Sequence, residues 1–88
     1  MLLTIIKANY QTDYQIELSF NNGETLTVDL KTVLASEKRK IFEPLKDIAY
    51  FKNFKLCYNT IVWDNEADFA PEFLYELALN QSERNLII

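Results

Sequence analysis

Hydrophobic and polar positions alternate twice in the first third of the chain. Tyr14, Ile16, Leu18 and Phe20 are separated by Gln15, Glu17 and Ser19; Leu26, Val28 and Leu30 are separated by Thr27 and Asp29. A period of two is that of a strand with one buried and one wet face. Asn21-Asn22-Gly23-Glu24 joins the two runs. Asn-Gly is the residue pair of a type I′ hairpin, so positive φ is expected at both Asn22 and Gly23. Ahead of this hairpin, Leu2 to Ala8 reads as a first strand, ended by the polar stretch Asn9 to Asp13.

The middle of the chain is less periodic. Asp29 or Thr32 can cap a short helical turn through Val33, Leu34 and Ala35. Ser36 to Lys40 is a charged loop. Ile41-Phe42-Glu43-Pro44-Leu45 is apolar around a proline, hence extended or a single turn. Asp47 can cap another turn carrying Ile48, Tyr50 and Phe51. Phe54, Leu56 and Tyr58 then alternate with Lys55 and Cys57 as a fourth strand, and a tight turn at Asn59-Thr60 leads into a fifth, Thr60 to Trp63.

After Trp63 the period changes. Asp64-Asn65-Glu66 is an acidic turn, and Phe73, Leu74, Leu77 and Ala78 recur at helical spacing. The spacing predicts a helix from about Ala70 to Asn80, with Pro71 in the first turn, where no amide donor is needed. Ser82 to Asn85 reads as a polar break and Leu86-Ile87-Ile88 as an apolar tail. The expected architecture is one α+β domain spanning 1–88. Its mainly antiparallel sheet has about five strands in two hairpins, short helical turns lie in the middle, and one C-terminal helix packs on the sheet. Phe20, Gly23, Trp63, Pro71 and Leu74 are the expected structural anchors, with Trp63 between sheet and helix near Phe20, Leu18 and Leu74.

Composition narrows the function classes. With 88 residues, 49% hydrophobic, the chain suits one modest core. Histidine is absent, which removes Ser-His-Asp and Cys-His catalysis and the common zinc sites. The single glycine leaves no phosphate loop or dinucleotide fingerprint. The lone Cys57 rules out an internal disulfide and suits a reducing compartment. No apolar run reaches a membrane span and the first residues lack a basic leader, so a cytoplasmic location is expected.

Charge is distributed unevenly. Residues 31–55 hold seven basic and three acidic side chains, net +4, whereas 56–88 hold one basic and six acidic, net −5. Lys38-Arg39-Lys40 is the one basic cluster. It is read first as a solvated loop and second as a small patch that could touch a partner or nucleic acid, although the net charge of −4 disfavours nucleic acid as the main partner. Asp64, Glu66 and Asp68 could together bind a hard cation or share a proton. The simpler reading makes them turn and helix-start residues, with neither metal nor cofactor expected. Tyr75 joins these six as a candidate interaction residue, since tyrosine is a common interface anchor.

Three segments resemble a known family. Phe20-Asn21-Asn22-Gly23 with Val28-Asp29-Leu30 is similar to its F-x-D/N-G…V-D-L pattern. Phe42-Glu43-Pro44-Leu45-Lys46-Asp47 with Phe51 resembles its F-x-P-L-x-D…F segment. Trp63-Asp64-Asn65-Glu66-Ala67-Asp68 with Pro71, Leu74 and Tyr75 resembles its W-x-N-G-A-D…P-x-x-L-Y signature. The family is the 2442 family of domains of unknown function, and the likeness runs from Ile5 to Leu79. Glu66 stands where glycine is often found, so the backbone of that turn is expected to differ. The resemblance implies a small bacterial α+β domain with no established reaction. It also implies a toxin–antitoxin-like arrangement of neighbouring genes, hence a protein partner. A non-enzymatic interaction module, with a homodimer built on the tail and an exposed edge, is the leading expectation. An accessory regulatory or nucleic-acid-associated domain is the alternative.

Overall fold

The computed structural model describes the backbone of residues 2–86 and side chains through Ser82. Strands β1 (Ile5–Thr12), β2 (Gln15–Phe20) and β3 (Thr25–Asp29) form an antiparallel sheet in that order. Helix α1 (Lys31–Ser36), a 3-10 segment (Lys40–Lys46) and helix α2 (Ile48–Phe51) follow. Strands β4 (Lys55–Cys57) and β5 (Thr60–Val62) make a second, two-stranded sheet, and helix α3 (Pro71–Leu86) closes the fold. The chain is therefore α+β, with five antiparallel strands, short helices in the middle and a long helix packed on the sheet.

The alternating runs behave as their pattern requires. Ile16, Leu18, Phe20, Val28 and Leu30 are buried, and Ile16 lies opposite Val28 and Leu18 opposite Leu26. This pairing corrects the expected turn. A two-residue Asn22-Gly23 loop would set Leu18 against Thr27 and Phe20 against Thr25, placing apolar residues across from polar ones. Keeping like faces together needs a three-residue loop, because a slip of one position turns a whole strand over. That loop is what forms. Gly23 N donates to Phe20 O at 3.1 Å, Phe20 N donates to Glu24 O at 2.8 Å, and only Gly23 has positive φ, at +90°. The two-residue turn with both central φ values positive occurs instead at Tyr58 (+53°) and Asn59 (+69°), between β4 and β5.

Other boundaries move too. β1 runs from Ile5 to Thr12 rather than from Leu2 to Ala8, because Asn9 to Thr12 continue the ladder against β2 up to a turn at Asp13. A polar stretch is no obstacle on a strand whose outer face meets water. The 3-10 segment absorbs Lys40 and the apolar stretch around Pro44. Asp47 caps α2 as expected, its side chain accepting from Ala49 N at 3.2 Å. The largest change is in α3. It passes through Ser82 to Asn85 without a break, since no glycine or proline follows Pro71 to stop it. The tail residues Ile87 and Ile88 lie outside the described residues.

The core is aromatic where the two sheets meet α3. Trp63 is buried and its Nε1 donates to Phe51 O at 2.7 Å. Its ring neighbours are Phe51 (5.7 Å), Phe69 (6.0 Å) and Phe54 (6.2 Å), whereas the expected neighbour Phe20 meets Tyr75 edge-on at 5.1 Å. Leu74 and Ala78 on α3 are buried with them, and Pro71 is the first helical residue. Leu56 is exposed, as are Cys57 and Tyr58, so β4 is a surface strand. Gln81 fastens α3 to the first sheet: its Oε1 accepts from Asp29 N and its Nε2 donates to Asp29 O, both at 2.9 Å.

Candidate interaction surface

The acidic stretch after Trp63 is a second three-residue turn. Glu66 N donates to Trp63 O at 2.9 Å and Trp63 N donates to Ala67 O at 2.9 Å. Glu66 takes φ +71°, the left-handed conformation that glycine adopts at no steric cost. Asn65 holds the turn. Its Oδ1 accepts from Ala67 N at 3.1 Å, its Nδ2 donates to Ile41 O at 2.7 Å, and its backbone N donates to the Tyr50 hydroxyl at 3.1 Å.

The Asn65–Ile41 bond joins the two charged candidates. It places the acidic turn against the first residues of the 3-10 segment, directly after Lys38-Arg39-Lys40. Arg39 is firmly held: its Nε and Nη2 donate to the two carboxylate oxygens of Glu37 at 2.9 and 3.0 Å. The Arg39 guanidinium lowers the Glu37 carboxyl to about 2. The guanidinium also sits 4.7 Å over the Phe42 ring. From Phe42 the rings continue to Phe69 at 5.1 Å and to Phe73 at 5.7 Å, where the row reaches the surface, Phe73 being 44% exposed. Lys38 and Lys40 are exposed.

The three acidic candidates do not converge. Asp64 approaches Lys55 Nζ at 3.5 Å on the surface. Asp68 is a ladder residue opposite Val62 rather than the cap of α3, and Glu66 is exposed at the tip of the turn. Among the described residues no three acidic or cysteine side chains gather as metal ligands. Tyr75 lies elsewhere, at the first hairpin, its hydroxyl donating to Glu24 Oε1 at 3.0 Å. That hydrogen bond raises the Tyr75 phenol pKa. Asn65, Phe73 and Gln81 were not among the candidates. Asn65 was recognisable in principle, because Phe20-Asn21-Asn22 and Trp63-Asp64-Asn65 are both aromatic-x-Asn at a chain reversal.

The two sheets, the long helix and the turn after Trp63 define a small two-layer α+β domain. The chain belongs to the family described as protein of unknown function (DUF2442), which matches residues 5–80. In structure it resembles the "Putative DNA Binding Protein NE0471" of Nitrosomonas europaea ATCC 19718, with a TM-score of 0.76 at 21% identity. The match covers 94% of this chain and 53% of that one, so the present chain spans about half of its neighbour. No curated protein matches in sequence. No described helix is long and apolar enough to cross a membrane.

Proposed function

We propose that this domain is a non-enzymatic protein-interaction module that acts in the cytoplasm, one half of a toxin–antitoxin-like pair. One observation carries the reading. The row Arg39–Phe42–Phe69–Phe73 runs from an exposed guanidinium to a half-exposed ring, and the Asn65–Ile41 bond holds the acidic turn of Asp64 and Glu66 next to the segment that follows Lys38 and Lys40. Arginine and aromatic anchors that a partner covers, inside a polar rim, are the anatomy of protein interfaces, and adjacent charges of opposite sign fix register more than affinity. Affinity purification from the native host, with mass spectrometry, tests it. Wild type is expected to retain one partner in fixed stoichiometry, and Phe73→Glu to lose it. A partner retained equally by both chains removes this surface from the proposal.

The alternative, an accessory nucleic-acid-associated domain, is supported by exposed Lys38 and Lys40 in the basic middle segment and by the name of the structural neighbour. It requires binding to duplex DNA that weakens steeply with salt and is lost in Lys38→Glu/Lys40→Glu. A homodimer is the remaining possibility for the partner, and sedimentation equilibrium at high micromolar concentration reads it directly.

A further inference from the structure

The outer edge of β3 carries a second binding feature. In the β2–β3 ladder Leu30 N donates to Tyr14 O at 2.9 Å and Phe20 N donates to Glu24 O at 2.8 Å. Hydrogen-bonded pairs alternate along an antiparallel ladder. Even-numbered residues of β3 therefore point their amides and carbonyls at β2, while Thr25, Thr27 and Asp29 point theirs away from it. At Asp29 both outward groups are satisfied by the carboxamide of Gln81, which makes the two bonds that a residue of a neighbouring strand would make. At Thr25 and Thr27 no partner for the outward backbone groups exists among the described residues. A groove of about 570 Å³ runs along these positions between β3 and α3, floored by Leu26 and Ala78 and ended by Gln81. That volume lies within the ~300–1,000 Å³ of ordinary ligand sites.

We propose that this groove binds an extended, positively charged peptide segment by strand addition to β3. The proposal deepens the interaction-module reading and rests on it, but uses a different surface. Three features select the occupant. Open backbone donors and acceptors at every second residue match another extended backbone, and neither a helix nor a globular surface offers that ladder. The Gln81 amide shows the edge already accepting an amide in this geometry, which fixes the register: the added strand begins beyond Asp29 and pairs with Thr27 and Thr25, which are about 7 Å apart along the strand. Charge sets the sign. Residues 1–30, which supply β3, hold one basic and four acidic side chains, net −3, and residues 56–88, which supply α3, are net −5. Among the residues that line the groove Asp29 is the one charged side chain, and the basic middle segment contributes only the neutral Thr32, so a cationic peptide is attracted and an anionic one repelled.

Thr27→Pro tests this selectively. Proline removes the outward N–H of residue 27, which the β2 ladder does not use, and an edge strand tolerates proline at such a position. The probes are two pools of unstructured hexapeptides, one carrying two lysines each and the other two glutamates, followed by amide NMR of the intact labelled chain. The lysine pool is expected to shift the Thr25 and Thr27 amides and the Gln81 side-chain amide. Thr27→Val should keep the affinity within threefold, and Thr27→Pro should lower it at least tenfold with the other cross-peaks unmoved. Equal binding by Thr27→Pro, or shifts from neither pool, overturns the proposal. So does protection of the Thr25 and Thr27 amides in the free chain: concentration-dependent protection would assign the edge to a second copy, and concentration-independent protection to the chain's own end. The Phe73→Glu purification is read separately, so loss of a partner there together with silence here would retain the module and discard the groove.

Discussion

The turns Phe20–Glu24 and Trp63–Ala67 share one backbone frame and differ in what supports it. Each reverses the chain in three residues, each begins with a buried aromatic, and each has an asparagine whose side-chain oxygen accepts from the amide two residues on. In the first, glycine takes the positive-φ position at no steric cost, and Asn21 ties the loop to the start of the chain, its Oδ1 accepting from Thr4 N at 3.0 Å and its Nδ2 donating to Leu2 O at 2.7 Å. In the second, glutamate takes that position, and Asn65 and Tyr50 tie the turn to the 3-10 segment and α2. Strained backbone persists where its surroundings over-determine it. Both turns are tied to distant parts of the chain, the first through Asn21 and Glu24 and the second through Asn65, the same residue that closes its turn. The turn with glutamate at the positive-φ position is also the one beside the charged surface.

The widest effect should come from removing the aromatics. Trp63→Ala is expected to cost about 3–5 kcal/mol, a large part of the ~5–15 kcal/mol available to a small domain, with Phe20→Ala at the lower end of the same range. Trp63 should exceed Phe20 because it also leaves the Phe51 carbonyl without its donor. Urea unfolding measures both; a Trp63→Ala chain as stable as wild type would refute the core described. The asparagines sharpen the contrast. Asn65→Ala should cost about 2–3 kcal/mol and Asn22→Ala below about 1, since the first loses a tertiary bond as well as the local one. Equal costs would mean that the anchoring to Ile41 contributes nothing.

At the positive-φ position the signs should be opposite. Glu66→Gly is expected to stabilise by about 1 kcal/mol and Gly23→Ala to destabilise by a similar amount, because an L side chain resists left-handed backbone. Thermal unfolding of the two variants checks the pair; destabilisation by Glu66→Gly would show that the glutamate side chain contributes a contact worth more than the strain. The smallest effect concerns the first turn alone. Tyr75 is hydrogen bonded to Glu24, which raises the folded-state phenol pKa, so this contribution is complete below the unfolded phenol value and is lost as pH rises through the folded one. Ultraviolet titration should show the Tyr75 phenol titrating lower in Glu24→Gln than in wild type.

Much of this was legible in the chain, and the failures have physical causes. The alternation at Gln15–Phe20 and Thr25–Asp29 gave strands and faces, and it also contained the loop length: only a three-residue loop sets Leu18 against Leu26. Asn-Gly suggested otherwise because a local preference was read without that register. The turn between β4 and β5 was expected at Asn59-Thr60 and lies one residue earlier, at Tyr58-Asn59, because the alternation of Phe54, Leu56 and Tyr58 carried the strand reading one residue too far. The helix end was misplaced because polarity alone does not stop a helix. Of the candidate surface, the charged clusters were visible, but their adjacency rests on Asn65 reaching Ile41 across 24 residues of sequence, and on rings that meet only after folding. Gln81 was invisible for a similar reason, since nothing in a helical glutamine marks it as a substitute strand residue.

Among the described residues a single backbone hydrogen bond, Ile5 N to Asn59 O at 2.9 Å, joins the two sheets. The β4–β5 hairpin can therefore open without unzipping a continuous ladder, while the three-stranded sheet has two full rows of bonds to break. Amide exchange should divide accordingly: Lys55 to Cys57 should exchange at a free energy well below that of global unfolding, and Ile16, Leu18 and Val28 close to it. The exposed tip of that hairpin, Tyr58, would then be the part of the surface that changes shape most readily while the rest of the domain stays folded.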